Sequence, residues 1–245
     1  MTLADPFYRS GDHVAVELPG ARAIFTTRLG GVSRGPYATL NLGRLTDDDP
    51  ADVERNRELL QEFLGVRLAF ARQVHGARVL RTAEPRDERT RLPEADGQAT
   101  SARGVAPMVT TADCMPVALA GGGAVAMLHA GWRGLASGVI AEGVRALREL
   151  GGGNEELVAA VGPAARACCY EVGEEVHREF ADVPGARQGR HLDMPLVARH
   201  QLANAGISEI HDCGLCTICS VDPPFFSHRR DRGVTGRQAG VAWLT

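Results

Sequence analysis

The chain has 245 residues, a formal net charge of -3, 44% hydrophobic residues and 23% charged residues. This composition predicts a globular protein with apolar material for one large core or two small ones. The charge offers no electrostatic argument for a nucleic-acid or membrane partner, and an aromatic content of 5% disfavours a base-stacking platform.

Cysteine usage and hydropathy point to a cytoplasmic location. The first twenty residues lack the basic start and apolar run of a secretory signal. The most apolar stretch, 105–130, contains Asp113, Pro107, Pro116 and three consecutive glycines, a pattern unlike a membrane helix. We therefore expect the six cysteines to serve metal binding or catalysis in a reducing cytoplasm, rather than disulfides.

Apolar runs and capping residues predict strands and helices in irregular alternation. Residues 84–94, rich in charged residues and proline, are typical of a surface loop. Because the regular alternation of a doubly wound fold is missing, the pattern indicates a mixed α+β fold. The predicted strands are 14–17, 23–26, 68–74, 115–120, 124–129, 158–161 and the apolar C-terminus. The predicted helices are 50–64 after Asp49, 135–150 before Gly151, and 195–205 after Asp193.

Residues 110–134 form the most informative segment, because two apolar runs flank the glycines at 121–123 and predict a β-hairpin. A loop of two or four residues centred there places Cys114 directly opposite His129, with Cβ atoms about 4.5–5.5 Å apart. A three-residue loop would put the two side chains on opposite faces, unless a bulge near Pro116 restored the register. The hairpin therefore permits a shared metal ion without requiring one.

A zinc ion with catalytic chemistry takes three protein ligands, among which thiolate and imidazole are suited, and keeps a fourth position open. His75, in a turn after a predicted strand, is a plausible third ligand beside Cys114 and His129. The residues alone leave open a second interpretation. Both histidines would then be hydrogen-bonded at strand ends, and Cys114 would be a small buried residue.

Two further segments suggest binding chemistry. After His129, a glycine-bracketed turn that carries Arg133 leads into the second predicted helix and is typical of an anion site, although Arg133 would otherwise cover the helix end. The run Cys213-x-x-Cys216-x-x-Cys219, preceded by His211, is a competing metal or iron–sulfur pattern. Only three thiols cluster there, and the pair Cys168-Cys169 lies too far along the chain to belong to the pattern, so buried structural cysteines are favoured. The C-terminal arginines, among them Arg229 and Arg237, favour surface salt bridges over substrate recognition.

Six motifs in order resemble the YfiH family, also called laccase-domain or polyphenol-oxidase-like proteins and related to the mammalian protein FAMIN. They are RQVHG (72–76), ADG (95–97), TTADCMP (110–116), HAGWRG (129–134), CCYEVG (168–173) and FFSHRRD (225–231). The resemblance runs from residue 26 to the C-terminus. The chain departs from the family pattern at 42–50 and at 164–167, where Arg166 is expected to alter the pocket rim.

The resemblance implies a single α+β domain over residues 1–245, with mixed sheets packed between helices. It implies zinc held by His75, Cys114 and His129, and phosphorolysis of adenosine or inosine to the free base and ribose 1-phosphate. Phosphorolysis of 5'-methylthioadenosine and deamination of adenosine are related activities, so the expected partners are a purine nucleoside and phosphate.

Beside the ligands, Arg133 is the candidate for holding phosphate, and Asp113 or Asp96 for assisting departure of the base. Asp113 would otherwise only hydrogen-bond the end of the hairpin. Three rival functions stay open. The first is a copper oxidase of phenols with Met115 or Met127 as axial ligand, which the 8 histidines and the absence of His-x-His disfavour. The others are a hydrolase with Cys114 as nucleophile and His129 as base, and a non-catalytic zinc module.

Overall fold

The computed structural model of the chain describes residues 3–85, 92–151, 153, 156–221 and 224–245. Of the predicted surface loop 84–94, residues 86–91 lie outside this description. The strands of the described part are β1 (Tyr8–Ser10), β2 (His13–Leu18), β3 (Ala21–Phe25), β4 (Arg67–Ala69), β5 (Val79–Arg81), β6 (Gly97–Thr100), β7 (Val105–Thr111), β8 (Met115–Gly121), β9 (Ala124–Ala130), β10 (Val158–Val161), β11 (Arg187–Gln188), β12 (His191–Leu192), β13 (Glu209–Asp212) and β14 (Gln238–Leu244). The helices are α1 (Pro50–Leu64), α2 (Trp132–Ala136), α3 (Val139–Gly151), α4 (Glu174–Glu179) and α5 (Met194–Asn204).

The strands form two six-stranded mixed sheets and a small two-stranded one. The first sheet has the order β1-β2-β3-β14-β7-β4, and only β4 and β7 pair in parallel. The second has the order β13-β10-β8-β9-β6-β5, with parallel pairs at both edges. β8 and β9 therefore lie at the centre of the second sheet, where both faces are buried.

Neighbouring side chains along a strand point to opposite faces of the sheet and so pack into different cores. The sheets and helices form four layers. In β3, Ile24 packs with Leu60 of α1, whereas Phe25 points into the core between the two sheets. In β9, Met127 lies in that same inter-sheet core, whereas Leu128 packs with the residues of α3 and α5. The layers are thus helix, sheet, sheet and helix, which confirms the α+β fold with mixed sheets packed between helices. None of the helices in the described ranges is long and apolar enough to cross a bilayer.

Most predicted elements are confirmed with shifts at their ends. Asp49 and Asp193 cap α1 and α5 by accepting from backbone N–H groups of the first turn, and Gly65 ends α1 at a left-handed φ of +67°. The strand predicted at 68–74 is wrong beyond Ala69. The helix predicted at 135–150 is also wrong as one piece, because Gly138 with a φ of +86° separates α2 from α3.

The hairpin of β8 and β9 forms, but its register differs from the prediction by two residues. Gly121 pairs with Ala124, and the loop is the pair Gly122 and Gly123, whose φ values of +59° and +72° suit a type I′ turn. His129 consequently pairs with Pro116 instead of Cys114. Because the shift is even, Cys114 stays on the face of the hairpin that carries His129, in a diagonal position.

Candidate metal centre

The structure brings together the three side chains that the sequence analysis selected. Cys114 lies immediately before β8, His129 is near the end of β9, and His75 lies in the loop between β4 and β5. One potential ligand atom from each residue lies within 4.8 Å of the others. The two imidazole rings meet edge-on, with centroids 4.8 Å apart and an interplanar angle of 74°. This is a compact set of one sulfur and two nitrogen donors.

Asp96, which is fully buried, organises two of the three side chains. Its carboxylate accepts hydrogen bonds from the backbone N–H groups of Val74 (3.1 Å), His75 (2.8 Å) and Gly76 (2.7 Å). Asp96 Oδ1 also lies 2.9 Å from His129 Nδ1. When Nδ1–H donates to this carboxylate, Nε2 keeps its lone pair for a metal, as in carboxylate–histidine–zinc triads. The same carboxylate holds His75 at a left-handed φ of +60°.

The thiol of Cys114 and the imidazole of His129 favour their charged forms together. Burial raises the pKa of Cys114, but the positive charge and hydrogen bond of His129, and then the hydrogen bond of His75, bring it down to about 6. Burial lowers the pKa of His129, but the Cys114 thiolate and Asp96 bring it up to about 9. Cys114 is therefore a thiolate at neutral pH, the form that binds a soft metal ion.

Asp113 ties the entrance of the hairpin to two distant segments. It has a left-handed φ of +87° and its side chain is buried. Oδ1 accepts from the hydroxyl of Thr217 at 2.6 Å, and Oδ2 accepts from the backbone N–H of Arg229 at 2.7 Å. Because each carboxylate oxygen has an internal donor, the contacts favour a role in positioning Cys114 over a role as proton donor.

Arg133 follows the metal-site hairpin on an exposed surface. Its guanidinium carbon lies 4.3 Å from the centre of the Trp132 ring. The helix that begins here, α2, has five residues and no side-chain N-cap, so its dipole is much weaker than the continuous helix of the sequence prediction would supply. The anion site predicted at this turn thus depends on the Arg133 side chain.

Arg237 supplies a second cation beside the thiolate. It donates from Nη1 to the carbonyls of Thr235 (2.9 Å) and Gly236 (3.0 Å). No carboxylate pairs with it within the described ranges. Burial lowers its pKa, while Cys114 and Asp113 act in the opposite direction. A part-buried guanidinium with only carbonyl partners is suited to an anionic ligand.

Tyr170 completes the surroundings of the thiolate. Its side chain is buried, and the guanidinium carbon of Arg229 lies 5.0 Å from the ring centre. Burial raises the pKa of the phenol to about 12, and the Cys114 thiolate contributes to the rise. Tyr170 was not singled out from the sequence, because it lies 56 positions from Cys114 and only its place in the CCYEVG motif marked it.

Comparisons with known proteins agree over nearly the whole chain. A family model described as multi-copper polyphenol oxidoreductase laccase matches residues 22–245. Purine nucleoside phosphorylase SCO2081 of Streptomyces coelicolor is 43% identical, over 92% of this chain and 96% of the relative. Purine nucleoside phosphorylase YfiH of Shigella flexneri is 37% identical, over 92% and 94%. The crystal structure of the Bacillus licheniformis protein YfiH has a TM-score of 0.89 at 31% identity, over 98% and 100%.

The chain belongs to the YfiH family. Relatives named purine nucleoside phosphorylases support an enzyme of that kind. The two methionines proposed as axial copper ligands both pack in apolar cores. Met127 lies in the core between the sheets, and Met115 lies in the core beneath the helices.

This YfiH-family chain also contains a second cluster, which corrects the sequence analysis. Cys168 and Cys169 do come together with Cys216 and Cys219, although they lie far apart along the chain. Cys213 is instead buried in the inter-sheet core, where burial raises its pKa to about 12. The spacing Cys213-x-x-Cys216-x-x-Cys219 therefore selected one cysteine that does not belong, and missed two that do.

Proposed function

We propose that the chain is a zinc-dependent purine nucleoside phosphorylase that converts adenosine or inosine and phosphate into the free base and ribose 1-phosphate. Phosphorolysis of 5'-methylthioadenosine and a lesser adenosine deaminase activity belong to the same proposal. One observation carries it: a thiolate and two imidazoles converge at a centre whose relatives are named purine nucleoside phosphorylases. Six free cysteines fit a reducing cytoplasm, where we place this single domain of residues 1–245.

The residues present fit a zinc ion. His75, Cys114 and His129 would hold it, because a thiolate and two imidazoles match the donors of catalytic zinc sites. The ion would take the place of the proton that His129 carries without metal. His129 meets the further requirement of such sites, a carboxylate behind the imidazole, through Asp96. Zinc held by three protein ligands supplies a Lewis acid at its open position.

The side chains around the centre divide the remaining work. Arg133 and Arg237 would bind phosphate. Neither guanidinium group has a carboxylate partner in the described part of the chain, so both positive charges are available to an anion. Asp113 would hold the Cys114 backbone in position through its contacts with Thr217 and Arg229. Tyr170 keeps its proton at neutral pH and is our candidate donor to the departing base.

The thiolate–imidazolium pair also favours a second function, a hydrolase with Cys114 as nucleophile and His129 as base. A nucleophile and its base need only one imidazole. The second ring, His75, lies 4.8 Å from the first and contributes a hydrogen bond to the same sulfur. Two imidazoles on one sulfur support the metal centre over the catalytic pair.

Product analysis tests the proposal. Adenosine and inosine are incubated with the zinc-loaded protein, with and without phosphate, and the products are separated by chromatography. We expect free base and ribose 1-phosphate only when phosphate is present. Equal release of base without phosphate would identify a hydrolase, inosine as the sole product from adenosine a deaminase, and no turnover of any purine nucleoside would favour the cysteine hydrolase.

Arginine variants test the phosphate site. Arg133→Ala and Arg237→Ala should each raise the KM for phosphate by about 10-fold or more, the scale of a lost charged hydrogen bond, and retain zinc. Arg145→Ala is the matched control, because Arg145 pairs with Glu142 and Glu149 on the exposed face of α3. An unchanged phosphate KM in both active-site variants would contradict the assignment.

A further inference from the structure

Four thiols that are not part of the candidate zinc centre come together in a second cluster. The Sγ atoms of Cys168, Cys169, Cys216 and Cys219 all lie within 4.8 Å of one another, and those of Cys168 and Cys219 are 3.7 Å apart. All four cysteines are free. Nothing in the proposed reaction uses them, and they form a second group of potential metal ligands in the described residues.

The backbone builds this cluster from two loops. Ala164 and Cys216 form a parallel bridge, in which Ala164 N–H donates to Leu215 O (3.3 Å) and Thr217 N–H donates to Ala164 O (3.0 Å). A tight turn closes the second loop, since Ser220 N–H donates to Cys216 O at 3.0 Å. The pair at 216 and 219 therefore lies in a Cys-x-x-Cys turn, a common ligand spacing of structural zinc sites.

The sulfur separations fit a single tetrahedral metal ion. With zinc–sulfur bonds of about 2.3 Å, the edges of a tetrahedron of sulfurs measure about 3.8 Å. The 3.7 Å between Cys168 and Cys219 agrees with such an edge, and the upper limit of 4.8 Å leaves a contraction of about an ångström. An iron–sulfur cluster distributes its four thiolates over more than one iron and needs a wider set of sulfurs.

The cluster is accessible to an ion from solvent. Cys168 and Cys219 are exposed, and with Cys216 they line a surface cavity of about 540 Å³. Arg166 also lines this cavity, but its guanidinium is paired with Asp212 through contacts of 2.8 and 2.7 Å. The cation is thereby largely neutralised and offers little opposition to a divalent ion.

We propose that Cys168, Cys169, Cys216 and Cys219 bind a structural zinc ion. Four thiolates close the coordination sphere, so this ion would hold two loops together and take no part in chemistry. Both loops reach the candidate active site: Tyr170 follows Cys169, and Thr217, next to Cys216, donates to Asp113. The second zinc thus fixes one wall of the first centre.

Metal analysis tests the proposal on protein purified under mild reducing conditions. The unaltered chain should contain two zinc ions, Cys114→Ser one, and Cys168→Ser combined with Cys219→Ser one. Cys213→Ala is the matched control and should keep two, because Cys213 lies in the same segment but outside the cluster. One zinc in the unaltered chain, lost completely in Cys114→Ser, would overturn the proposal whatever the reaction proves to be.

Cobalt spectroscopy covers the case in which the double variant does not fold. Cobalt is loaded into the Cys114→Ser protein, which leaves the four-cysteine cluster as the thiolate site. Strong thiolate-to-cobalt charge-transfer bands with the visible bands of tetrahedral cobalt are expected. Their absence overturns the proposal. A count of four rather than six free thiols in the unaltered chain, denatured and stripped of metal without reduction, would indicate a disulfide and would also overturn it.

Discussion

The two cysteine-containing sites differ in donors, in depth and in what stands behind their ligands. At the candidate active centre, Cys114 and His129 belong to a buried hairpin, and Asp96 locks the imidazole from behind. At the second site, all four donors are sulfur, two are exposed, and the ligands come from loops joined by a single bridge. In our proposals, two ligands at the hairpin and His75 on a loop leave a position open for substrate, whereas four thiolates on loops hold the loops together.

Thr217 connects the two sites. It lies inside the Cys-x-x-Cys turn and its hydroxyl donates to Asp113, the residue immediately before Cys114. If the cysteine cluster binds zinc as proposed, we expect order in the surface loop to reach the candidate active centre through this buried hydrogen bond. We expect the first site to serve activity and the second to serve stability. Variants of the two sites should therefore have different effects.

Cys114→Ser should have the largest effect on activity. We expect turnover of adenosine to fall by more than about 100-fold, since loss of a ligand should exceed the 10- to 100-fold typical of its supporting partners. The melting temperature should change little, because a core of this size does not depend on an open metal site. Steady-state kinetics and thermal unfolding measure the two effects.

The combined change Cys168→Ser with Cys219→Ser should show the opposite pattern. Loss of a structural zinc should lower the melting temperature by at least about 4 °C, corresponding to roughly 2 kcal/mol for a chain of this size, and leave measurable turnover. If this variant were as inactive as Cys114→Ser yet equally stable as the unaltered chain, the assignment of separate tasks would be wrong.

Asp96→Asn should weaken zinc retention and turnover by about 10- to 100-fold. The amide cannot supply the charge that stabilises the His129 proton, and it replaces one of two acceptors of the loop around His75 with a donor. Competition with a chelator measures zinc retention. Asp182→Asn, at an exposed position, controls for loss of a charge and should behave as the unaltered chain.

Gly131→Ala should have a smaller effect, an about 10-fold loss of zinc affinity. A Cβ at this position would lie 2.8 Å from Cys114 Sγ, and the backbone φ of -81° permits alanine, so the strain falls on the ligand. Gly138→Ala is the contrasting variant. Its Cβ meets nothing within 4 Å, but the φ of +86° should cost about 1 kcal/mol of stability with zinc retention unchanged. Equal zinc affinity in both variants would contradict the close packing at Cys114.

The sequence predicted the parts of the active centre that are local. A glycine loop between two apolar runs predicted the hairpin but left loops of even and odd length open. The two-residue loop that forms puts Cys114 and His129 on one face, with a register two residues from the predicted one. Capping aspartates likewise located the starts of α1 and α5. These features depend on neighbours along the chain, and such interactions leave a pattern in the sequence.

Features that depend on distant segments were not predicted. The cysteine cluster forms because Ala164 and Cys216 pair in a β-bridge. No hydrophobic periodicity in the sequence predicts a bridge between residues 52 positions apart. Asp96 was considered only as an acid, because its contacts with three backbone N–H groups require the fold. The break at Gly138 was hidden by an apolar pattern that continues through Leu135 and Val139 on both sides of it.

The rate at which Cys114 is alkylated tests most directly whether the thiolate of Cys114 is stabilised by the imidazolium of His129. We expect this pairing to change the alkylation rate at pH 7 by only a few-fold. In metal-stripped protein, alkylation of Cys114 should follow a pH profile with a midpoint near 6, because His129 lowers the thiol pKa to about that value. The rate rises as pH increases through 6, since thiolate is the reactive form, and levels off before pH 8. A lower pKa also makes each thiolate less nucleophilic, so the gain over an ordinary thiol at pH 7 stays modest.

Mass spectrometry assigns the label to each cysteine, and Cys213, with a pKa raised to about 12, serves as the internal reference that stays unlabelled over the same range. Replacing the imidazole in His129→Ala should move the midpoint for Cys114 upward, toward the value of an ordinary thiol near about 8.5. Added zinc should protect Cys114 at every pH at which it binds. A midpoint near 8.5 in the unaltered chain would mean that the imidazole does not stabilise the thiolate. The donor set would then lack the thiolate anion that a soft metal ion prefers.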